Sequence, residues 1–71
     1  MTQIKLLRLE RELTSSAVAE QVKLSGALLS LVERGQKRAS DRTRLRLCRF
    51  FGVPETELFD GDGLAVKVDI L

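Results

Sequence analysis

Residues 14–35 read TSSAVAEQVKLSGALLSLVERG, and this stretch decides the fold. Thr14 and Ser25 belong to the residue types that cap helix N-termini, and apolar residues follow each of them at helical spacing. The pattern predicts helices at 15–22 and 26–33 with a three-residue connection between them. Two short helices joined by so short a connection predict a helix-turn-helix.

Helical patterns continue on both sides of this stretch. An apolar stripe that begins at Ile4 predicts a first helix. Ser40 is a suitable cap for a predicted fourth helix at 41–51, and Pro54 opens a predicted short fifth helix at 55–59. The first 60 residues are therefore expected to be all-α, with five short helices.

The fourth predicted helix has an apolar face. Leu45, Cys48 and Phe51 are spaced three residues apart and are expected to face the core, with Leu47 beside them. Cys48 is therefore interpreted as a small core residue and not as a reactive thiol.

The last eight residues change from helical spacing to an alternation that predicts a strand. The alternating apolar side chains are Leu64, Val66, Val68 and Ile70. No second strand is predicted in this chain, so the strand is expected either to pair its backbone groups with another molecule or to fray. A symmetric antiparallel dimer would satisfy them and bury both apolar faces. The chain thus divides into a predicted helix-turn-helix domain at 1–60 and a predicted dimerisation strand at 61–71.

The amino-acid composition excludes most kinds of catalytic and metal site. A chain of 71 residues forms one small domain, and it contains no His, Trp or Tyr and a single Cys. Imidazole catalysis, Ser-His or Cys-His nucleophiles and ordinary zinc sites are therefore excluded. Glu33, beside Arg34 and near Arg11, is interpreted as a structural ion-pair partner and not as an acid catalyst. We expect no enzyme activity, metal, cofactor or small-molecule substrate, and no apolar run approaches the ~20 residues of a membrane span.

The charge is unevenly distributed along the chain. Residues 34–49 carry seven basic side chains and one acidic one, whereas residues 55–71 carry five acidic side chains and one basic one. Arg outnumbers Lys by eight to four, and the guanidinium fork suits phosphate. The middle of the chain is expected to face a polyanion, and the alternative is an ordinary solvated surface.

The order and spacing of these elements resemble the Cro/repressor (Xre-like) helix-turn-helix family over residues 4–59. The fragments that carry the resemblance are Ile4-Lys5, Leu7-Arg8, Leu13-Thr14, Val18-Ala19, Leu24-Ser25, Leu29-Ser30, Val32-Glu33-Arg34-Gly35, Ser40, Thr43, Leu45, Gly52-Val53 and Glu57-Leu58-Phe59. The resemblance implies a lambda-repressor-like fold and a transcriptional regulator, typically a repressor, that binds double-stranded DNA. It also implies a homodimer on a two-fold symmetric operator in a prokaryotic cytoplasm, encoded by the host or a phage.

Two departures from the family pattern affect the helix-turn-helix. Ser15 stands where the family usually has a Gln that grips a phosphate, and it offers a hydroxyl with a shorter reach. Lys23 stands where the family has the Gly of the turn. A left-handed backbone at Lys23 would cost about 1 kcal/mol.

The second helix of the motif is expected to read bases in the major groove. Its outward positions are Gly26, Ala27, Leu28, Ser30 and Leu31. None of these side chains makes a bidentate contact with a base edge. Leu28 and Leu31 are interpreted either as contacts to thymine methyls with readout of DNA shape, or as protein-binding or core residues.

Phosphate contacts are expected on both sides of the groove. The candidate residues are Thr14, Ser15, Ser25, Arg34, Lys37, Arg38, Arg42 and Thr43. They offer guanidinium, ammonium and hydroxyl donors and the free N–H groups of helix N-termini. Arg44, Arg46 and Arg49 are expected to lie partly off this face.

A second function remains open at this point. A small protein of this fold also serves as a protein-interaction module, such as an antitoxin or a polymerase-binding regulator. Its strand or its apolar helix surface would then contact a protein partner.

Overall fold

The structure is a computed structural model that describes residues 1–69 and contains five helices within that range. The helices are α1 (Gln3–Glu10), α2 (Ser15–Val22), α3 (Gly26–Glu33), α4 (Asp41–Phe51) and α5 (Glu55–Leu58). The predicted bounds of α2, α3 and α4 are confirmed. The fifth helix ends one residue earlier than predicted, because Phe59 is extended and pairs with Ala65.

Hydroxyl caps set the start of the three central helices, as predicted. The side-chain oxygens of Thr14, Ser25 and Ser40 each accept a hydrogen bond from the backbone N–H three residues further on. Each of these contacts satisfies one of the N–H groups that a helix N-terminus leaves without a partner.

Lys23 adopts the left-handed backbone that the turn requires. Its φ of 58° and ψ of 45° place it at the C-cap of α2, and Gly35, with a φ of 73°, follows α3. Glu12, in the connection between α1 and α2, also has a positive φ of 56°. The left-handed conformation predicted for Lys23 is therefore confirmed, and Glu12 is a second site of the same strain.

The core lies between the helices and is apolar. α2 and α3 cross in close contact, and α4 packs against α2 and α5. The buried apolar residues are Ile4, Val18, Ala19, Val22, Leu29, Val32, Ala39, Leu47, Phe51, Leu58, Phe59 and Ala65. This set includes Val18, Ala19 and Val22 of α2 and Leu29 and Val32 of α3, whose helical spacing predicts that they face inward.

The predicted core face of α4 is partly wrong. Leu45 is 51% exposed, whereas Leu47 is fully buried. The buried face follows Thr43, Leu47 and Phe51, which are four residues apart and lie on one side of a helix. Leu45 is two positions from Leu47, so its side chain leaves the helix on the opposite side. Cys48 lies between the two faces and is half-buried.

The expectation that the C-terminal segment has no pairing partner in its own chain is wrong. Thr2 pairs with Lys67 and Phe59 pairs with Ala65, both antiparallel. Val66 donates its backbone N–H to the Leu58 carbonyl at 2.8 Å. The segment therefore lies between the start of α1 and the end of α5, and its contacts are isolated bridges in place of a regular strand.

The burial of the side chains in this segment also differs from the burial that the predicted alternation implies. Ala65 is buried in the core, whereas Leu64, Val66 and Val68 are half-buried. Ile70, the fourth residue of the predicted dimerisation set, lies outside the described residues. Ala65 forms the bridge with Phe59, and both residues are buried in the core.

None of the helices in residues 1–69 has the length and apolar composition needed to cross a membrane.

Candidate nucleic-acid interface

One side of α3 is held in the core and the other lies at the surface. Leu29 and Val32 are fully buried, whereas Gly26 and Ala27 are exposed. The three other predicted base-reading residues, Leu28, Ser30 and Leu31, are half-buried. Leu28 also packs against the core, so only part of its side chain is accessible on the outer face of α3. The outer side of α3 is therefore open mainly at the start of the helix.

Both ends of α3 are fixed by side-chain hydrogen bonds. Ser25 accepts from the Leu28 N–H at 3.1 Å at the N-terminus. At the C-terminus the Thr2 hydroxyl donates to the Glu33 carbonyl, and the Arg34 Nε donates to the Ser30 carbonyl at 3.2 Å. The Ser25 bond satisfies an N–H and the Thr2 bond satisfies a carbonyl that the helix ends leave unpaired, so α3 is held firmly at both ends.

Glu33 forms the ion pair that positions α3 against α1. Its carboxylate accepts two hydrogen bonds from the Arg8 guanidinium, at 2.8 and 3.0 Å. The hydrogen bond with Glu33 raises the pKa of Arg8 further above its ordinary value. The structural role predicted for Glu33 fits this geometry, but Arg8 is the partner and Arg11 is not. Arg11 instead donates to the Phe51 carbonyl at 2.6 Å, at the end of α4.

Four basic side chains follow α3 and are exposed. They are Arg34, Lys37, Arg38 and Arg42. Within residues 1–69 none of them forms an ion pair with an acidic side chain. Their charges are therefore uncompensated by the protein and available to a polyanion.

The predicted hydroxyl contacts differ in their exposure. Thr14 and Ser25 are exposed, and their oxygens accept cap hydrogen bonds while their protons remain free to donate. Ser15 is half-buried in the first turn of α2. Thr43 is only 6% exposed, and its hydroxyl accepts from Ser40 at 3.1 Å. The prediction that the Thr43 hydroxyl faces a phosphate is therefore wrong, because that side chain belongs to the buried face of α4.

Two other arginines of α4, Arg44 and Arg46, have partners within the protein. Arg44 pairs with Asp41 and Glu55 and donates to the Ala39 carbonyl. Its hydrogen bond with Glu55 raises the pKa of Arg44. Arg46 lies near the end of α2, 3.4 Å from the Lys23 carbonyl.

Comparison with known families matches this arrangement to one of them. The sequence profile of a helix-turn-helix domain family matches residues 2–59. The chain belongs to this family. No curated protein and no solved structure matches the chain.

The fold brings two further bases beside Arg34 that the sequence did not assign to the interface. Lys5 of α1, Arg34 and Lys67 of the C-terminal segment line one surface cavity of about 170 Å³. They lie some thirty residues apart in the chain. No local motif connects them, so only their common basic character was visible in the sequence.

Proposed function

We propose that this helix-turn-helix protein is a sequence-specific DNA-binding transcriptional regulator, with α3 lying in the major groove. The observation that carries the proposal is that the start of α3 is exposed and that four exposed basic side chains follow this helix in sequence, none of them with an acidic partner in the described chain. A helix of about 10–12 Å diameter fits a groove about 12 Å wide. Within residues 1–69 no three His, Cys, Asp or Glu side chains are grouped so that they could hold a metal ion.

The reading surface is small and largely apolar. Gly26 and Ala27 allow the start of α3 to approach the base edges closely, and Ser30 supplies a hydrogen-bonding hydroxyl. Leu28 and Leu31 meet thymine methyl groups at the edge of the contact. Because no side chain makes a bidentate base contact, part of the specificity comes from the shape and deformability of the DNA.

Backbone phosphates are held on the two sides of the groove. Arg34, Lys37, Arg38 and Arg42 bind one strand through their charged groups. Thr14, Ser15 and Ser25 donate hydroxyl protons to the other strand, near the N-termini of α2 and α3. Such contacts release counterions, so affinity falls steeply as salt concentration rises.

We propose that two copies bind a two-fold symmetric operator, with reading helices about 34 Å apart. The half-buried side chains of Leu64, Val66 and Val68 support this, because they form an apolar row at the surface. Ile70 continues the row in sequence. The dimer contact would use these side chains, since backbone groups of the same three residues already bond within the chain. Repression in a prokaryotic or phage-infected cytoplasm is the corresponding biological role.

A protein partner is the second candidate function. Met1, Leu9 and Leu45 are each about half exposed, at 49%, 46% and 51%. Exposed apolar side chains of this size favour protein contact when they cluster with others. Stoichiometric co-purification of another protein from the native host, without enrichment of any DNA sequence, would support this function.

The deciding experiment selects binding sites from random duplex DNA at two salt concentrations. We expect a palindromic site and, for a dimer, a log–log salt slope steeper than about −4. Ala27→Glu should abolish binding because it places a carboxylate against the groove. Thr56→Glu is the matched control, since it adds the same charge at an exposed position on α5. A flat salt response, or no enriched sequence, would exclude this function.

The dimer has its own test. Deleting residues 64–71 would also remove Ala65 from the core, so a point substitution is sharper. Val66→Lys should shift sedimentation from dimer to monomer, whereas Lys67→Ala, at the next and exposed position, should leave the dimer intact. A wild-type chain that sediments as a monomer at binding concentrations would remove the homodimer from the proposal.

A further inference from the structure

Thr2 brings three basic residues from distant parts of the chain to one place. Its hydroxyl accepts from the Lys5 N–H at 3.4 Å and donates to the Glu33 carbonyl, one residue before Arg34. Its backbone pairs with Lys67 in an antiparallel bridge, which Gln3 N–H to Val66 carbonyl at 2.9 Å supports. The positions of Lys5, Arg34 and Lys67 are therefore fixed by a single buried residue.

The bridge also fixes the direction of the Lys67 side chain. Directly opposite residues in an antiparallel pair point to the same face, with Cβ atoms about 5 Å apart. Thr2 points towards the end of α3, where it bonds to Glu33, so Lys67 leaves the segment on that side. Lys5, Arg34 and Lys67 accordingly line the same cavity of about 170 Å³.

The charge of this cavity is positive and uncompensated. The acidic side chain in its lining is Glu33, and both oxygens of that carboxylate are bound by Arg8. Asp69 lies two residues beyond Lys67, and within residues 1–69 it forms no ion pair with it. Three cations without a protein counterion favour a bound anion.

We propose that Lys5, Arg34 and Lys67 together hold one phosphate of the DNA backbone. This inference rests on the proposed function and adds to it a role for the C-terminal segment in DNA binding. The cavity adjoins the end of α3, and Arg34 lies three and four residues before the exposed bases Lys37 and Arg38. Arg34 and Lys67 are exposed, so the cavity is open to a large ligand such as a duplex.

The geometry suits a phosphate group in particular. The Arg34 Nε donates a hydrogen bond to the Ser30 carbonyl. This bond orients the guanidinium and leaves its two terminal nitrogens to face an anion. Two ammonium groups approach from α1 and from the C-terminal segment. The carbonyls of Glu33 and Ser30, which would repel an anion at a helix C-terminus, already accept hydrogen bonds.

The test compares variants that each remove one positive charge. Lys67→Gln and Lys5→Gln change the cavity, whereas Arg49→Gln changes an exposed arginine that lines a different surface depression with Gln21 and Lys23. Binding to the selected operator duplex is measured across a salt series, and thermal unfolding verifies that each variant is folded. We expect the two cavity variants to bind several-fold more weakly, with a salt slope shallower by about one per bound chain. Lys67→Arg should retain wild-type binding.

Ethylation interference gives an independent readout. Ethylation of several phosphates in each half-site should weaken binding of the wild-type chain, and at one of them this effect should be absent with Lys67→Gln. If both cavity variants behave like Arg49→Gln while the wild type binds DNA, the inference fails and the proposed function stands. If the wild type binds no duplex, both fail. Saturable binding of inorganic phosphate with unchanged DNA affinity of Lys67→Gln would identify a free-anion site and overturn the inference.

Discussion

Arg8 and Glu33 join α1 to the last residue of α3 through two parallel hydrogen bonds, from Nη2 to Oε1 at 2.8 Å and from Nε to Oε2 at 3.0 Å. Their side chains are 12% and 7% exposed. Arg8 also donates to the Leu13 carbonyl at 3.0 Å, just before α2. The pair therefore links α1 to both helices of the helix-turn-helix and sets the angle at which α3 is presented.

Glu33→Gln should lower the free energy of unfolding by about 3 kcal/mol, because it leaves the buried Arg8 charge without a counterion. Urea unfolding measures the loss. Glu10→Gln is the control, since Glu10 is exposed on α1 and should change stability by less than about 0.5 kcal/mol. Equal losses in the two variants would show that the ion pair does not stabilise the fold.

Lys23→Gly should stabilise the protein by about 0.5–1 kcal/mol, because glycine adopts the left-handed backbone at the C-cap of α2 without strain. Thermal or urea unfolding gives the difference. Lys23→Ala removes the same side chain but retains a Cβ, so it should give no gain. A stabilisation of the same size in Lys23→Ala would trace the effect to the side chain and contradict the argument from strain.

Leu47→Ala and Leu45→Ala remove the same atoms from opposite sides of α4. Leu47 is fully buried, so its truncation should cost about 3 kcal/mol of stability. Leu45 is 51% exposed, and its truncation should cost less than about 1 kcal/mol. Chemical denaturation of the two variants side by side measures the difference, and a larger loss at Leu45 would place it in the core.

Cys48 should react slowly with a thiol reagent in the folded state. Burial raises the pKa of its thiol, the Glu55 carboxylate raises it further, and Arg44 partly opposes them. Because the thiolate is the reactive form, alkylation near neutral pH should be slower than in the urea-unfolded chain, which serves as the control. Equal rates in both states would contradict this.

The raised pKa of Cys48 also makes the free energy of unfolding depend on pH. The unfolded chain loses the thiol proton at a lower pH than the folded chain, so it binds fewer protons above that point. The Cys48 contribution to stability is therefore present below about pH 9 and declines as pH rises further. A Cys48→Ala variant should lack this alkaline decline.

Several residues show how local signals determined the helices. Thr14, Ser25 and Ser40 cap the helices that the sequence predicted, because a hydroxyl three residues before a free N–H is a local interaction. The left-handed Lys23 was predictable from its place in the turn. Glu12 was not, since nothing in its neighbourhood in the sequence requires a positive φ.

The candidate interface was predicted in part. The three-residue spacing of Leu29 and Val32 places one side of α3 in the core. The exposure of Gly26 and Ala27 at the start of the helix was predictable from this spacing. Thr43 was misplaced because its polar side chain lies on the buried side of α4, where Ser40 satisfies it. Polarity alone does not tell whether a side chain faces solvent or a partner within the protein.

By itself the sequence determined the positions of the central helices, the turn between α2 and α3, and the basic character of the residues that follow. These depend on interactions between residues a few positions apart, which spacing and residue type specify. Tertiary structure alone decided that the C-terminal segment pairs with Thr2 and Phe59, and that Lys5, Arg34 and Lys67 meet at one cavity. Backbone hydrogen bonds between distant segments depend on how the chain closes around its core. The alternation of side chains in one segment does not specify the segment with which it pairs.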